Sequence, residues 1–461
     1  MVFSSIIFLF YFLPITLIIY YIVPNKAKNL VLLLFSLLFY FYGEPKYILI
    51  MISSIISAYI FGILMDKYRK YSKLFLIFSL CVSIGALVYF KYINFLIENI
   101  NLFLSHKIDF IYVVLPIGIS FYTFQIISYL VDVYNGKTKA QKNLINLAMY
   151  VALFPQLIAG PIVRYNTINE QIDERKCTVE KFSNGVRRFI IGLGKKVLIA
   201  NIFGELVAAF LSSNDSSVLF YWIYGVSGML QIYFDFSAYS DMAIGLGKMF
   251  GFDILENFNY PYIATSITDF WRRWHISLSS WFRDYIYIPL GGNRVNKVKW
   301  LRNILIVWML TGLWHGAAWN FVLWGLFFGI LLIIEKLFLE KYLKKIPKPI
   351  TRIYTLLIVM ISFIIFNGES IGQIVTNIGG LIGANNTPLI SKESIYYMKS
   401  YLIVIIFGII GATPILKNIA NNQKIHKITN CIEPIFLLGI LVICTSYIVD
   451  GSFNPFLYFR F

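Results

Sequence analysis

His315 is an ionisable residue in an otherwise uncharged part of the chain. It lies in the apolar stretch Asn303–Gly329, which contains no Asp, Glu, Lys or Arg. An ionisable side chain at membrane depth is costly and by default indicates a functional site. Because imidazole exchanges protons near neutral pH, His315 is a candidate for acid–base chemistry. The alternative is a histidine that only hydrogen-bonds a backbone carbonyl within a helix bundle.

A second histidine, His275, lies in a segment rich in tryptophan and arginine. Ser266 is a suitable N-cap, and Pro289 with the two glycines after it would end the helix. We therefore expect one helix over Thr265–Leu290. Its aromatic stripe at helical spacing comprises Trp271, Trp274, Leu278 and Trp281. Tryptophan together with basic residues is typical of a helix lying at the membrane interface, where the plain alternative to function is an anchor.

Two arginines offer this predicted helix a further role. Arg272 and Arg273 lie beside Trp274 and off the aromatic stripe. Guanidinium groups recognise phosphate with planar, bidentate geometry. These three residues are therefore candidates for holding an anionic, phosphate-bearing cofactor at the cytoplasmic face.

Polar residues also interrupt the apolar run that precedes this segment. Asp235 lies deep in the run, and Tyr239 is one helical turn away on the same helix face. Asp241 follows two residues later. The first interpretation is a structural polar network that joins helices, and the alternative is a group that orients a catalytic histidine.

The composition indicates a polytopic membrane protein. Of the 461 residues, 58% are hydrophobic and 14% are charged, whereas soluble domains carry about 25% charged residues. Because lipid forces backbone groups to bond within their own segment, we predict an all-α fold with about eleven transmembrane helices, each needing about 20 apolar residues. The predicted spans are Phe3–Val23, Asn29–Tyr42, Tyr47–Met65, Leu74–Tyr92, Phe110–Tyr134, Phe189–Phe210, Val218–Ile232, Ala317–Ile334, Ile353–Phe366, Tyr401–Leu416 and Pro434–Val449.

The basic residues predict an orientation. The net charge is +17, and the Lys and Arg residues fall in short loops beside apolar spans, as the positive-inside rule describes. With these loops in the cytoplasm, both the N-terminus and the tail at residues 450–461 lie outside. The alternation fails at Asn143–Gly160, which we therefore expect to enter the membrane and return. Such a broken segment is tolerated only where protein or a water-filled cavity lines it.

Other classes of site are disfavoured. No basic face with interleaved aromatics is separate from the membrane segments, which argues against nucleic-acid binding. A zinc site needs about four ligands, and no Cys, other His or carboxylate is near His315 in the sequence. We therefore expect no metal site. We expect membrane lipids to surround the protein.

Four motifs follow one another along the chain: Pro155–Arg164, Asp235–Gly245, Phe270–Arg294 and Leu313–Gly316. In this order they resemble the membrane-bound O-acyltransferase (MBOAT) family, and more closely its bacterial alginate O-acetylation branch. The resemblance implies a single membrane domain over residues 1–461, with a ring of helices around a central tunnel that joins cytoplasm and exterior. It implies that His315 is the catalytic histidine. It also implies that His275 occupies a second motif position, which is Asn in many eukaryotic members and His in this branch.

The resemblance also implies a reaction. Acetyl-CoA in the cytoplasm would be the acyl donor, and a histidine would take the proton of an acceptor hydroxyl. Exclusion of bulk water at mid-membrane depth would limit wasteful thioester hydrolysis. The product would be O-acetylation of an extracytoplasmic polysaccharide, such as alginate, peptidoglycan or cellulose, in a bacterial inner membrane.

The acyl acceptor is expected in the C-terminal tail. The sequence Asn454–Phe461 resembles the C-terminal aromatic-tyrosine motif of cell-envelope acylation systems, so Tyr458 is the candidate acyl carrier. A secreted or membrane-anchored SGNH-hydrolase-like acetyltransferase would be the partner that moves the acetyl group to the glycan. The plain alternative is an amphipathic tail packed at the interface.

Two other functions stay open on the sequence. One is D-alanyl transfer to teichoic acid, in which a carrier protein replaces acetyl-CoA as donor. The other is a membrane transporter or lipid flippase without enzymatic activity.

Overall fold

The computed structural model describes residues 1–158, 160–420, 422 and 426–451, and all regular secondary structure in these residues is helical. Contacts divide the chain into two compact units. The first comprises Met1–Phe189 with Ser240–Leu255, and the second comprises Ile190–Tyr239 with Glu256–Phe461. The single domain, the ring of helices and the tunnel expected from the resemblance stay predictions.

The first unit contains the N-terminal helices. Its helices are α1 (Leu13–Ile22), α2 (Lys28–Gly43), α3 (Ile48–Lys67), α4 (Ser72–Leu87), α5 (Ile93–Asn101), α6 (Ile119–Tyr134), α7 (Leu144–Ala152), α8 (Phe154–Leu157), α9 (Tyr165–Asp173) and most of α10 (Val179–Gly194). Two π-helical turns, Ile7–Phe12 and Val88–Tyr92, precede α1 and α5.

The second unit contains both histidine motifs. Its helices are α11 (Asn201–Ser212), most of α12 (Val218–Met249), α13 (Ile267–Arg273), α14 (Ile276–Phe282), α15 (Lys297–His315), α16 (Trp319–Ile334), α17 (Glu340–Leu343), α18 (Lys348–Asn367), α19 (Ile371–Leu381), α20 (Lys392–Gly411), α21 (Ile415–Ala420) and α22 (His426–Val449). π-helical turns at Lys195–Ala200, Arg283–Tyr287 and Glu335–Leu339 lie at the ends of α10, α14 and α16.

Seven helical segments of the described chain are long and apolar enough to cross a membrane. They are Asn25–Gly43, Ile48–Lys67, Arg69–Asn101, Trp319–Leu343, Lys348–Asn367, Lys392–Gly411 and Cys431–Val449. Each overlaps one of the eleven predicted spans, although the predicted Tyr401–Leu416 starts later and ends later than the helix Lys392–Gly411. A shorter apolar helix, Ile7–Ile22, corresponds to the predicted first span.

The remaining three predicted spans differ from the structure. Within Phe110–Tyr134 the helix starts only at Ile119, after Pro116 and Gly118, and its residues are mostly buried in protein. Gly118 adopts a left-handed φ of 76°, which glycine reaches without strain. The predicted span Phe189–Phe210 is part of a continuous helical run that begins earlier, at Val179. Val218–Ile232 is only the first half of the 32-residue helix α12.

The segment Asn143–Gly160 is broken, as its Pro and Gly residues predict. Helix α7 has nine residues and α8 has four, with a non-helical residue, Leu153, between them. Nine residues of helix span only about 14 Å, whereas a hydrocarbon core is about 30 Å thick. Every described residue from Leu147 to Gly160 is buried, so protein surrounds the break. Entry and return within a membrane stays a prediction.

A close helical hairpin carries His315. Helix α15 ends at His315, Gly316 is extended, and α16 begins at Trp319. A Cβ atom built at Gly325 would lie 2.2 Å from the carbonyl oxygen of Trp308, so the two helices approach to backbone contact there. Short connections of this kind fix the last residue of the first helix relative to the second.

Candidate functional site

His315 lies inside an aromatic enclosure. It is 7% exposed and is the last residue of α15. Its imidazole ring lies 5.0 Å from the Trp314 ring, 5.0 Å from the Trp324 ring and 5.4 Å from the Phe366 ring. All three contacts are edge-to-face, an arrangement in which aromatic rings attract one another. The surrounding rings hold the imidazole away from bulk water.

His275 lies at a break between two short helices. It separates α13 from α14 and adopts a left-handed backbone conformation, with φ 43° and ψ 53°. The side chain is fully buried. Its ring lies 4.6 Å from Phe236 and 5.9 Å from Trp314. Because Trp314 also contacts His315, a single indole lies against both histidines.

Asn257 determines which nitrogen of His275 carries the proton. The Asn257 Oδ1 atom accepts hydrogen bonds from the backbone N–H and the hydroxyl of Ser277, at 3.1 Å and 2.9 Å. The same oxygen lies 3.2 Å from His275 Nδ1. Because a carboxamide oxygen has no proton to give, Nδ1 must be the donor. In the neutral ring, Nε2 is then the unprotonated nitrogen.

The Nε2 atom of His275 is buried and has no hydrogen-bond partner among the described residues. His275 lies outside the seven candidate membrane spans, and burial lowers its pKa well below the ordinary value of 6.5. The charge of His315 lowers that pKa further. The site therefore presents a neutral imidazole with a free lone pair, which can accept a hydrogen bond or a proton.

The predicted continuous helix over Thr265–Leu290 is wrong. Ser266 does cap α13, accepting a hydrogen bond from the Asp269 N–H at 3.0 Å. The helix nevertheless ends at Arg273, whose carbonyl accepts a hydrogen bond from the Asn259 N–H. Asn257 holds the chain just after the break: its backbone oxygen accepts from the Ile276 N–H and its side-chain oxygen accepts from the Ser277 N–H. A partner this distant in sequence leaves no local signal.

The aromatic stripe of this segment is also buried in protein. The residues Trp271, Trp274, Leu278 and Trp281 are each at most 7% exposed. Trp274 stacks on Phe270 with ring centroids 5.5 Å apart and lies 5.3 Å from Phe363. The prediction that this stripe anchors the helix in lipid is therefore wrong, because its side chains are buried in the protein core around His275.

The candidate phosphate-binding residues have different surroundings. Arg272 is exposed. Arg273 bonds Asp269 one turn earlier, with Nε 2.9 Å from Oδ1, and donates to the Asn259 carbonyl at 3.3 Å. Trp274 is buried in the aromatic core. The structure thus leaves Arg272 available at a surface, and a cofactor role for these three residues stays a prediction.

Asp235 forms a buried ion pair that was not predicted from the sequence. Lys196 Nζ lies 2.5 Å from Asp235 Oδ1, and both side chains are at most 5% exposed. Asp235 directly precedes Phe236, whose ring contacts His275. The missed signal is the same one that identified His315, because Lys196 is a charged residue inside the predicted apolar span Phe189–Phe210.

The two other polar residues of this run lie in different compact units. Tyr239 is buried and belongs to the second unit, with both histidines. Asp241 belongs to the first unit, where Arg188 donates to it from Nε at 3.0 Å and from Nη2 at 2.7 Å. Asp235 and Asp241 thus each pair with a basic side chain, and the supporting role of Asp235, Tyr239 and Asp241 stays a prediction.

Two further expectations concern a metal and the tail. Among the described residues, no group of three or more His, Cys, Asp or Glu side chains is arranged to hold a metal ion. Tyr458 and the rest of the segment Asn454–Phe461 lie outside the described residues. The role of Tyr458 as acyl carrier therefore stays a prediction.

Comparison with known proteins identifies similar sequences. Residues 140–372 match the model of the MBOAT, membrane-bound O-acyltransferase family. The chain is 36% identical to the probable alginate O-acetylase AlgI of Azotobacter vinelandii, with 100% of both chains covered. It is 32% identical to the peptidoglycan O-acetyltransferase of Helicobacter pylori, covering 98% of this chain and 90% of the relative. A teichoic acid D-alanyltransferase of Bacillus subtilis is 33% identical over 54% of this chain and 65% of its own length.

Proposed function

This chain belongs to the membrane-bound O-acyltransferase family, and from that membership we propose that it transfers acetyl groups from cytoplasmic acetyl-CoA for O-acetylation of an extracytoplasmic polysaccharide. It is an O-acyltransferase and a multi-pass membrane protein. Relatives that align over nearly the whole chain carry names for alginate and peptidoglycan O-acetylation, which supports a polysaccharide as the final acceptor. The membrane would be the bacterial inner membrane, with both termini outside.

The observation that carries the proposal is the pair of buried histidines against one indole. The contacts of Trp314 with both rings bring His275 and His315 into one water-poor region. The free Nε2 of the neutral His275 can accept a hydrogen bond from the acceptor hydroxyl, and the buried His315 is the general base of this proposal. Burial also keeps bulk water from competing with the acceptor hydroxyl for the thioester.

The transfer step follows from these groups. The acceptor oxygen bonds the carbonyl carbon of the acetyl thioester while a ring nitrogen of His315 takes the hydroxyl proton. The carbon–sulfur bond then breaks, and the departing CoA thiolate receives that proton from the imidazolium. The free Nε2 of His275 would accept a hydrogen bond from the acceptor hydroxyl and orient it for this attack.

Tyr458 would be the first acceptor. In this scheme its phenolic oxygen takes the acetyl group and carries it as an ester at the outer face. A secreted or membrane-anchored SGNH-hydrolase-like transferase would then move the acetyl group to its own serine and on to the glycan. The donor side of this relay rests on the two histidines, and the acceptor side rests on the resemblance of the tail.

The experiment follows label from acetyl-CoA carrying a radioactive acetyl group into the purified protein in lipid vesicles. We expect acetylation of a C-terminal peptide that is lost in Tyr458→Phe. His315→Ala should slow CoA release by about a hundred-fold or more, the usual contribution of a general base. His106→Ala is the matched control, because His106 is exposed. Unchanged transfer in His315→Ala would overturn the mechanism, and full acetylation of the polymer in cells that carry Tyr458→Phe would overturn the relay.

The same experiment addresses the alternative functions. Because a teichoic acid D-alanyltransferase aligns with 54% of this chain, D-alanine presented on a carrier protein is tested as a second donor. Transfer of D-alanine but not acetyl would replace our proposal with the sister reaction. Membership of an acyltransferase family argues against a transporter without enzymatic activity.

A further inference from the structure

Glu335 is a buried carboxylate that binds the backbone of another helix. It is the first residue of the π-helical turn Glu335–Leu339 after α16 and is 2% exposed. Its Oε2 atom accepts a hydrogen bond from the Ile267 N–H at 2.7 Å, and its Oε1 atom accepts from the Thr268 N–H at 3.1 Å. Ile267 and Thr268 are the first two residues of α13.

These hydrogen bonds matter because α13 is short. It has seven residues, whereas isolated helices below about 12 residues are marginal in water. The first N–H groups of any helix have no partner within it. In α13, Glu335 bonds the first two and Ser266 bonds the third. The carboxylate charge also interacts favourably with the positive end of the helix dipole.

Helix α13 leads directly to His275. After the two bonds from Glu335 the helix packs through Trp271, whose ring lies 4.5 Å from Trp308 and 5.7 Å from Trp324. It ends at Arg273, two residues before His275. The partner helices are α15 and α16, the hairpin that carries His315. The carboxylate therefore ties the His275 segment to the hairpin of the other histidine.

We propose that Glu335 is a positioning residue that fixes His275 relative to His315 by holding the start of α13. It does not touch substrate in this scheme and acts through the histidine. Its effect on catalysis rests on the proposed acetyl transfer, whereas its effect on α13 does not. Small displacements of a reacting group reduce rates strongly, with about 1 Å costing about a hundred-fold.

The test compares Glu335→Gln with Glu340→Gln. Glutamine keeps one acceptor oxygen but directs N–H groups at the second amide of α13. Glu340 is the matched control, because it is a nearby carboxylate that pairs with Lys336 and Lys344 at the surface. Hydrogen exchange of the peptide covering residues 265–275 and the kinetics of CoA release are measured for both variants.

We expect Glu335→Gln to speed exchange in this peptide and to lower kcat by about ten-fold, less than the hundred-fold limit of a full displacement. The KM for acetyl-CoA should be unchanged, and Glu340→Gln should match the wild type in every measurement. In a His275→Gly background, Glu335→Gln should cause no further loss of rate. Glu335→Asp, which keeps the carboxylate, should recover part of kcat.

Three results would overturn the proposal. Unchanged exchange in Glu335→Gln would show that the carboxylate does not hold α13. An equal loss of rate with and without the His275 side chain would show that Glu335 acts elsewhere. If both Glu335→Asp and Glu335→Gln misfold, Glu335 contributes to the stability of the whole protein and does not specifically position His275. If the wild type transfers no acetyl group, the proposed function fails, but the exchange comparison still decides whether Glu335 orders α13.

Discussion

At the scale of single residues, Asn257 is the group that gives His275 its chemistry. Its carboxamide oxygen accepts a hydrogen bond from the Nδ1–H group, so that the proton stays on Nδ1 and Nε2 is unprotonated. A side chain in this position selects the tautomer of a histidine as well as its orientation. Asn257 could not be identified from the sequence, because a lone Asn in a connecting segment has no spacing or periodicity that distinguishes it.

We predict that Asn257→Asp will shift the pH dependence of acetyl transfer. An aspartate keeps an acceptor beside Nδ1 but adds negative charge, which stabilises the imidazolium and raises the pKa of His275. Because the neutral ring is the active form in our scheme, the acidic limb of the rate profile should move to higher pH. Measurement of kcat against pH for the variant and the wild type checks this shift.

Asn257→Leu provides the contrast. It removes the acceptor, so buried groups on His275 and Ser277 lose a hydrogen-bond partner, at a cost of about 1–3 kcal/mol each. We expect lower kcat at every pH without the shift seen for aspartate. Identical profiles for the three proteins would contradict the assigned tautomer.

At the scale of helices, the α15–α16 hairpin depends on glycine at the contact. We predict that Gly325→Ala will destabilise the protein by about 1–3 kcal/mol, as added atoms in packed sites do. The new Cβ would meet the Trp308 carbonyl oxygen, which cannot swing away as a side chain can. Thermal unfolding in detergent measures the loss.

Gly85→Ala is the control for this prediction. Gly85 also lies inside a helix, but a Cβ there meets no atom within 4 Å. Alanine should therefore leave stability unchanged or raise it by about 0.5–1 kcal/mol, the usual gain in a helix interior. Equal effects at the two glycines would contradict the close packing of the hairpin.

The pair Lys196–Asp235 joins a π-helical turn to α12. We predict that Asp235→Leu alone will cost about 3–5 kcal/mol, because it leaves a buried ammonium without its carboxylate. Combining it with Lys196→Met should recover most of that stability, since replacing both charges of a buried pair is often neutral. The double-mutant cycle is followed by thermal unfolding, and additive losses would contradict a direct interaction.

The long apolar runs predicted the existence of helices better than their ends. Tyr47–Met65 nearly coincides with the helix Ile48–Lys67, and Ile353–Phe366 lies within Lys348–Asn367, because length and hydropathy mark a membrane span directly. The break at His275 was not predicted, since it depends on Asn257 from another segment. The ion pair of Lys196 was missed although its signal was present in an apolar run.

At the scale of the molecule, the positive charge predicts an orientation in the membrane. We expect a cysteine introduced as Asn214→Cys to react with an impermeant thiol reagent on intact cells, because its loop has no basic residue. Lys297→Cys should react only after permeabilisation, since its loop is strongly basic. Both positions are exposed, so accessibility of the side chain does not distinguish them.

This labelling needs a background in which Cys81, Cys177, Cys431 and Cys444 are replaced by alanine. Retained acetyl transfer in that background is the control for folding. Reaction at Lys297→Cys on intact cells would reverse the predicted orientation. It would also place the donor and acceptor sides of the proposed relay on the opposite faces.

The left-handed backbone at His275 restricts which amino acids evolution can place there. Asn, Asp and His adopt this conformation several-fold more often than other non-glycine residues, and β-branched residues are outliers in it. The backbone conformation at this position therefore admits only a few side chains without strain. The chemistry of the site can select only from within that small set of residues.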